Sequence, residues 1–175
     1  MKRIILILLF CIIVCLLCAC SIFPDRYFEG LETFSPNHSM YGICGGTLPE
    51  NENMLDKFSY IDGNYYFYSK DDPFFLNPYD KMLLYLSYEE DIYQEAKTYV
   101  ANYRQCNDEN IITTINSYVF YNCFDSFDPT SCYLIAFSDC ENTIVFLTLY
   151  GGRNSTYDTP SCYIVEHFGE WYDFK

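Results

Sequence analysis

Ten cysteines are the residues of this 175-residue chain with the clearest capacity for chemistry. Six of them lie beyond residue 20, and an even number in an exported chain allows up to three disulfides. These six are Cys44, Cys106, Cys123, Cys132, Cys140 and Cys162. No two of them form a Cys-x-x-Cys pair, so their spacing indicates neither a thioredoxin-type redox site nor a zinc ribbon.

Cys123 and Cys132 are the first candidates for a disulfide. Counting residues across the turn from Asp125 to Ser131 places them close to each other on neighbouring strands, within reach of a cross-strand bond. The alternative is that some cysteines stay reduced and are buried as small hydrophobic side chains.

Histidine chemistry has little support in the sequence. His38 and His167 are the two histidines, and neither belongs to a His-Glu-x-x-His motif. Cys44 and His167 form a nucleophile pair only if the fold brings them together; a buried or disulfide-bonded Cys44 and a surface histidine are the ordinary alternative. The common serine-hydrolase motifs are absent, and 24 acidic residues offer many accidental carboxylate pairs. The sequence therefore assigns no catalytic residue, no metal site and no cofactor.

The first twenty residues predict where the protein resides. Lys2 and Arg3 precede an uninterrupted apolar run from Ile4 to Leu17. A transmembrane helix needs about 20 apolar residues, so this run is too short to span a bilayer comfortably. A short basic start followed by such a run is typical of an export signal.

The end of that run, Leu17-Cys18-Ala19-Cys20, resembles the lipobox of bacterial lipoproteins. The resemblance implies that residues 1–19 are removed and that Cys20 carries a thioether-linked diacylglycerol. Cys18 departs from the Ala, Ser or Thr usual at its position, but it is also small. Two acyl chains suffice for stable anchoring. We therefore expect a lipid-anchored protein on the extracytoplasmic face of the cell membrane, or of the outer membrane if the host has two membranes.

The charge of the chain excludes one class of partner. The full sequence has 10 Lys and Arg against 24 Asp and Glu, and loss of Lys2 and Arg3 leaves 8 against 24, a net charge of −16. Nucleic acids and anionic lipid surfaces attract clustered basic residues and repel such a surface. We expect no nucleic-acid partner, and membrane attachment through the lipid alone.

The sequence beyond the anchor is interpreted as a tether and loop segment over 20–56 followed by one domain over 57–175. Asp62-Gly63-Asn64 between aromatic runs predicts a β-hairpin that opens the domain. Met82–Leu86 is expected to be a short strand.

A helix is predicted from Ser87 to Gln105. Ser87 and Glu90 have the spacing of a capping box. Apolar residues then recur every three or four positions and form one stripe: Tyr88, Ile92, Ala96, Tyr99 or Val100, and Tyr103.

Three β-branched and aromatic runs after this helix predict strands over Ile111–Phe124, Cys132–Ser138 and Thr143–Tyr150. A turn at 139–142 would place Ile135 opposite Phe146 and Ala136 opposite Val145, with apolar residues on both faces. Ile164, Phe168 and Trp171 have the spacing of a short C-terminal helix, although a strand is also possible there. The resulting fold class is α+β: an antiparallel sheet of four to six strands, one main amphipathic helix packed on it, and the short C-terminal helix.

The predicted function is a noncatalytic module that binds a partner or ligand at the cell envelope. The alternative is a small envelope hydrolase that uses a carboxylate pair or a Cys-His pair. The chain contains 19 tyrosines and 15 phenylalanines, which are high numbers for its length. Aromatic residues in such numbers either fill a core or form a binding surface, and the core is the more ordinary use.

Overall fold

The computed structural model describes residues 26–34, 54–70, 79–122 and 131–150. The strands in these ranges are β1 (Arg26–Glu29), β2 (Asp62–Lys70), β3 (Tyr79–Ser87), β4 (Ile111–Ile115), β5 (Tyr118–Asn122), β6 (Ser131–Ser138) and β7 (Thr143–Tyr150). The α-helices are α1 (Met54–Lys57) and α2 (Glu90–Arg104), and 3-10 turns lie at Leu31–Thr33 and Asp108–Asn110.

All these strands belong to one antiparallel sheet in the order β1-β2-β3-β7-β6-β5-β4. The sheet has two halves, one formed by β1 to β3 and the other by the meander from β4 to β7. The halves join where β3 pairs with β7 along Asp80–Ser87 and Thr143–Tyr150. Because α2 connects β3 to β4 at the far edge, it crosses one face of the sheet.

The expected α+β class with four to six strands is wrong, because a seven-stranded sheet dominates the described residues. In this part of the chain α2 is the only helix longer than four residues. One additional strand comes from Arg26–Glu29, which the sequence assigned to the tether and which pairs with β2. The predicted C-terminal helix lies outside the described residues.

The predicted single strand over Ile111–Phe124 is also wrong. The run divides at Asn116 and Ser117, whose φ angles are 48° and 72°. Positive φ at both central residues is the geometry of a tight two-residue hairpin turn, and asparagine adopts it more readily than most residues. One long run thus becomes the antiparallel pair β4 and β5.

The hairpin predicted around Asp62-Gly63-Asn64 is wrong as well, since these residues open the continuous strand β2. The described glycine with positive φ is Gly30, so Gly63 does not serve a turn. A Cβ at Gly63 would lie 2.7 Å from the backbone oxygen of Tyr85 on β3. The residue is glycine because the neighbouring backbone comes too close for a side chain.

Helix α2 is confirmed, but its predicted capping box is not. The helix begins at Glu90 after Glu89, which makes no side-chain capping bond. Ser87 ends β3 instead, and its Oγ lies 2.8 Å from Thr143 Oγ1 on β7. The helix ends at Gln105 in a left-handed conformation with φ 53°.

The buried side of α2 is centred on Tyr93, Ala96 and Val100. Ala96 and Val100 belonged to the predicted stripe. Tyr103 did too, but it is 43% exposed. The buried side is rotated from the predicted stripe, because Tyr93, which the stripe did not include, is buried in place of Ile92.

Apolar side chains are buried on both faces of the sheet, as the sequence predicted. The cluster on the α2 side includes Phe67, Leu84 and Phe146. The cluster on the other side includes Phe120, Leu134 and Leu147. The predicted register of the β6–β7 hairpin is confirmed, with Ile135 opposite Phe146 and Ala136 opposite Val145.

Most large side chains in the described core are aromatic. Those almost fully buried include Tyr65, Tyr88, Tyr93, Tyr118, Phe67, Phe120 and Phe146. Tyr88 differs from its neighbours because its hydroxyl is buried without a hydrogen-bond partner. The aromatic content therefore mainly fills the core in the part of the chain that the structure describes.

Gly63→Ala tests the close approach of β2 and β3. We expect the free energy of unfolding to fall by about 1–3 kcal/mol, because the new methyl group meets backbone rather than a movable side chain. Urea denaturation measures this change, with Ser59→Ala at an exposed position as the control. Equal or greater stability of Gly63→Ala would show that the lost flexibility of glycine outweighs the steric conflict.

Tyr88→Phe tests the isolated hydroxyl. Removing a buried polar group that has no partner should raise the free energy of unfolding by about 1 kcal/mol. Tyr93→Phe is the matched control, since the Tyr93 hydroxyl donates to Asp139 Oδ1 at 2.6 Å and its loss should destabilise the protein. A loss of stability in Tyr88→Phe, measured by the same urea denaturation, would contradict the expectation.

Candidate functional site

Several residues singled out in the sequence lie outside the described residues. These are Cys20, His38, Cys44, Cys123, Cys162 and His167. Cys132 lies in β6. The lipidation of Cys20 and the Cys123–Cys132 disulfide therefore stay predictions. Cys140, in the turn between β6 and β7, is exposed and carries a free thiol.

A chain of hydroxyl groups joins the ends of three strands. Ser87 on β3 contacts Thr143 on β7 and donates a hydrogen bond to the Tyr85 hydroxyl at 3.1 Å. Tyr85 donates in turn to Asp62 Oδ2 on β2 at 3.5 Å. These groups satisfy one another, and their effect is to hold β2, β3 and β7 in register.

Glu141 connects two turns at the same end of the sheet. Its carboxylate accepts hydrogen bonds from the Tyr118 hydroxyl at 3.0 Å and from Ser117 Oγ at 3.4 Å. Ser117 Oγ also lies 3.0 Å from Ser138 Oγ. The β4–β5 turn is thus fixed against the β6–β7 turn, and a carboxylate is held beside the turn that follows β4.

Asp139 makes the corresponding connection to α2. Its Oδ1 accepts hydrogen bonds from Lys97 Nζ at 2.5 Å and from the Tyr93 hydroxyl at 2.6 Å. These bonds hold the pKa of the Asp139 carboxyl below its usual 3.8. Burial, followed by the bond to Asp139, raises the pKa of Tyr93. The three groups attach the helix to the β6–β7 turn, and the charges of Lys97 and Asp139 offset each other.

The β4 edge, defined as Ile111–Ile115, is the most distinctive surface in the described structure. Within the described residues β4 lies at the end of the sheet and pairs with β5 alone. It contains three isoleucines and two threonines and no charged residue. Ile111 is 40% exposed and Ile112 is 39% exposed, and Thr114 is exposed as well.

The register of β4 directs part of its backbone outward. Ile115 and Tyr118 flank the two-residue turn, and Thr114 pairs with Val119. In an antiparallel hairpin of this kind, the residues flanking the turn bond to each other and the next pair does not. The N–H and C=O groups of Thr114 therefore point away from β5. A bulge at Ile112 separates this regular part from Ile111.

The opposite edge has a different character. Strand β1 has only four residues and carries Arg26 and Glu29 at its ends. Tyr27 packs edge-on against Tyr66 and donates a hydrogen bond to Glu29, which raises the pKa of Tyr27 to about 12. Short strands, charged side chains and bulges are the usual protection of a sheet edge; β4 has the bulge at Ile112 but no charge of its own.

Carboxylates flank the β4 edge at both ends. Asp108 and Glu109 lie in the exposed 3-10 turn that leads into β4. Glu141 is held beside the turn that follows it. The β4 edge is thus an uncharged strand between two acidic ends.

Large exposed aromatic side chains are scattered over the described structure. They are Tyr27, Tyr60 and Tyr103. Lys57 lies 4.1 Å from the centre of the Tyr99 ring, so part of this aromatic surface is covered by a cation. This distribution does not favour an aromatic binding face over the β4 edge.

The described residues contain no group of three or more His, Cys, Asp or Glu side chains arranged to hold a metal ion. No helix in these ranges has the length and apolarity required to cross a membrane. Comparison of the chain with protein-family models, curated proteins and solved structures gave no match.

The sequence did not reveal the β4 edge, because the run Ile111–Phe124 is interpreted there as one strand. Asn116-Ser117 is the signal that divides the run, since asparagine and serine are frequent turn residues. Once the run is divided, its first half contains no aromatic residue, unlike its second half. That composition is consistent with an edge strand.

Asp139→Asn tests the connection between α2 and the β6–β7 turn. Because the pKa of Asp139 is lowered by folding, its contribution to stability is present above pH 3.8 and is lost as the pH falls through the lower folded-state value. We expect Asp139→Asn to reduce the free energy of unfolding at pH 7 by about 1 kcal/mol or less, since the carboxylate is largely exposed. Denaturation between pH 7 and pH 2 should show the difference from wild type shrinking below about pH 4. A constant difference would exclude the ion pair as its cause, and Lys97→Met is the partner control.

Proposed function

We propose that this chain is a lipid-anchored, noncatalytic binding module of the cell envelope, and that it binds its partner at the β4 edge. The observation that carries the proposal is an exposed, uncharged, β-branched edge strand with outward backbone groups at Thr114. The unpaired backbone groups of such an edge can pair with another chain, and proteins that do not use an exposed edge usually protect it. Adding a strand to an exposed edge is a common mode of peptide recognition.

The polar clusters of the described structure support a binding role rather than a catalytic one. Asp62, Glu141 and Asp139 each accept hydrogen bonds from side chains that join separate elements. A catalytic acid or base instead needs access to a reacting group in a pocket. Both histidines of the Cys-His alternative lie outside the described ranges, and the three carboxylates above hold separate elements together rather than forming a pair.

The predicted anchor fits the position of the β4 edge. Arg26, at the start of β1, lies six positions after Cys20, and an extended chain of that length spans at most about 20 Å. Strands in a sheet lie about 4.8 Å apart, so β4 lies roughly 30 Å from β1 across the sheet. A lipid at Cys20 would keep β1 near the bilayer and leave the β4 edge accessible to a partner farther out.

Cross-linking in intact cells tests the proposal, with the full chain tagged at its C-terminus. We expect a partner to be captured with wild type and lost with Thr114→Pro, since proline removes the outward N–H and obstructs strand addition. Thr114→Val keeps the N–H and the branched shape and should retain the partner. Cys20→Ala should move the protein from the membrane to the soluble fraction and lose the partner, while Cys18→Ala should behave as wild type.

Each part of the proposal has its own contrary result. Equal capture by Thr114→Pro and Thr114→Val would exclude the β4 edge as the binding surface. Membrane retention of Cys20→Ala would exclude the lipid anchor. Absence of any captured protein with wild type would exclude the partner-binding role.

A further inference from the structure

The occupant of the β4 edge can be specified further, and this inference rests on the function proposed above. We infer that it is an extended cationic segment of another polypeptide, which adds to the sheet beside β4 and carries a basic residue near each of its ends. Backbone geometry, side-chain chemistry and charge each contribute to this assignment.

The backbone sets the length and form of the segment. Strand β4 has five residues, which span about 17 Å. The bulge at Ile112 interrupts regular pairing toward the start of the strand. Regular strand addition is therefore available around Thr114, and the partner needs only about seven extended residues to reach beyond both ends of β4.

The side chains of β4 favour an uncharged centre in the partner. Ile111 and Thr114 lie on the face that carries α2, because they pair with Tyr121 and Val119. Thr113 and Ile115 lie on the other face. Branched and hydroxyl side chains on a neighbouring strand pack well against such residues. A charged residue opposite them would lose hydration without finding an opposite charge.

The ends of β4 favour basic residues. Asp108 and Glu109 precede the strand, and Glu141 lies beside the turn after it. The whole chain has a net charge of −14, so the surrounding field also attracts cations. A segment with a Lys or Arg near each end would place opposite charges at both acidic ends, in either strand direction.

The same charges argue against a second copy of this chain as the occupant. Antiparallel pairing of β4 with its own copy would place the start of one strand beside the end of the other. Asp108 and Glu109 of one molecule would then approach Glu141 of its neighbour, and such pairs of like charges are unfavourable. A cationic segment removes this conflict.

The inference is tested with a synthetic seven-residue peptide that has lysine at both ends and alternating threonine and valine between them. Its binding to the full chain in detergent micelles is measured by fluorescence anisotropy at several salt concentrations. We expect binding that weakens as salt is added. A peptide with glutamate in place of lysine should bind at least about tenfold more weakly. Methylation of alternate backbone nitrogens of the lysine peptide should abolish binding, because it removes the ladder donors.

Two pairs of variants locate the peptide on the protein. Thr114→Pro should abolish binding of the lysine peptide, while Thr114→Val should retain it. Ile112→Glu and Ile112→Lys place opposite charges at a bulge position that is 39% exposed. We expect the Glu variant to bind the lysine peptide more tightly and the Lys variant to bind it more weakly, with the reverse order for the glutamate peptide. The Ile112 pair keeps the test decisive if Thr114→Pro fails to fold.

The contrary results distinguish this inference from the function it rests on. Equal binding of the lysine and glutamate peptides, lost in Thr114→Pro, would overturn the cationic occupant and leave the β4 edge as a binding surface. A dimer of the full chain that dissociates in Thr114→Pro would assign the edge to a second copy. If no peptide binds while cross-linking in cells still depends on Thr114, the inference fails and the proposed function stands.

Discussion

The pairing of β3 with β7 is the interaction on which the rest of the structure depends. It joins Asp80–Ser87 to Thr143–Tyr150, two segments separated by about sixty residues of sequence. Without it, the β1–β3 part and the β4–β7 meander would each expose two apolar faces. With it, one sheet provides a common surface for α2, and the hydroxyl contact between Ser87 and Thr143 fixes the register at the end of the pair.

The interior of the protein and its candidate binding surface use the same residue types in different ways. In the centre of the sheet, branched and aromatic side chains are buried on both faces. At the β4 edge the same branched residues are exposed, because no described strand pairs with the outer side of β4. The distinction between core and surface is therefore set by position in the sheet order, which local composition does not encode.

The dependence of burial on sheet order explains how much of the fold could be predicted from the sequence. The register of the β6–β7 hairpin was predicted correctly, since two similar runs flank one obvious turn. Helix α2 was predicted because its apolar pattern continues over several turns. Its predicted start was wrong, because Ser87 contacts Thr143 across the sheet and does not cap the helix. Gly63 was misinterpreted because a close backbone approach and a turn both select glycine. The β4 edge could not be predicted, because strand order depends on long-range pairing.

The unequal edges of the sheet also bear on how copies of this protein can assemble. Pairing of β4 in one molecule with β1 in the next would be a head-to-tail contact, and repetition of that contact produces an open fibre rather than a closed oligomer. The charges of Arg26 and Glu29 and the short length of β1 disfavour this contact, and the bulge at Ile112 twists β4 out of the flat geometry that fibre growth requires. These features disfavour head-to-tail polymerisation through the two described edges of the sheet.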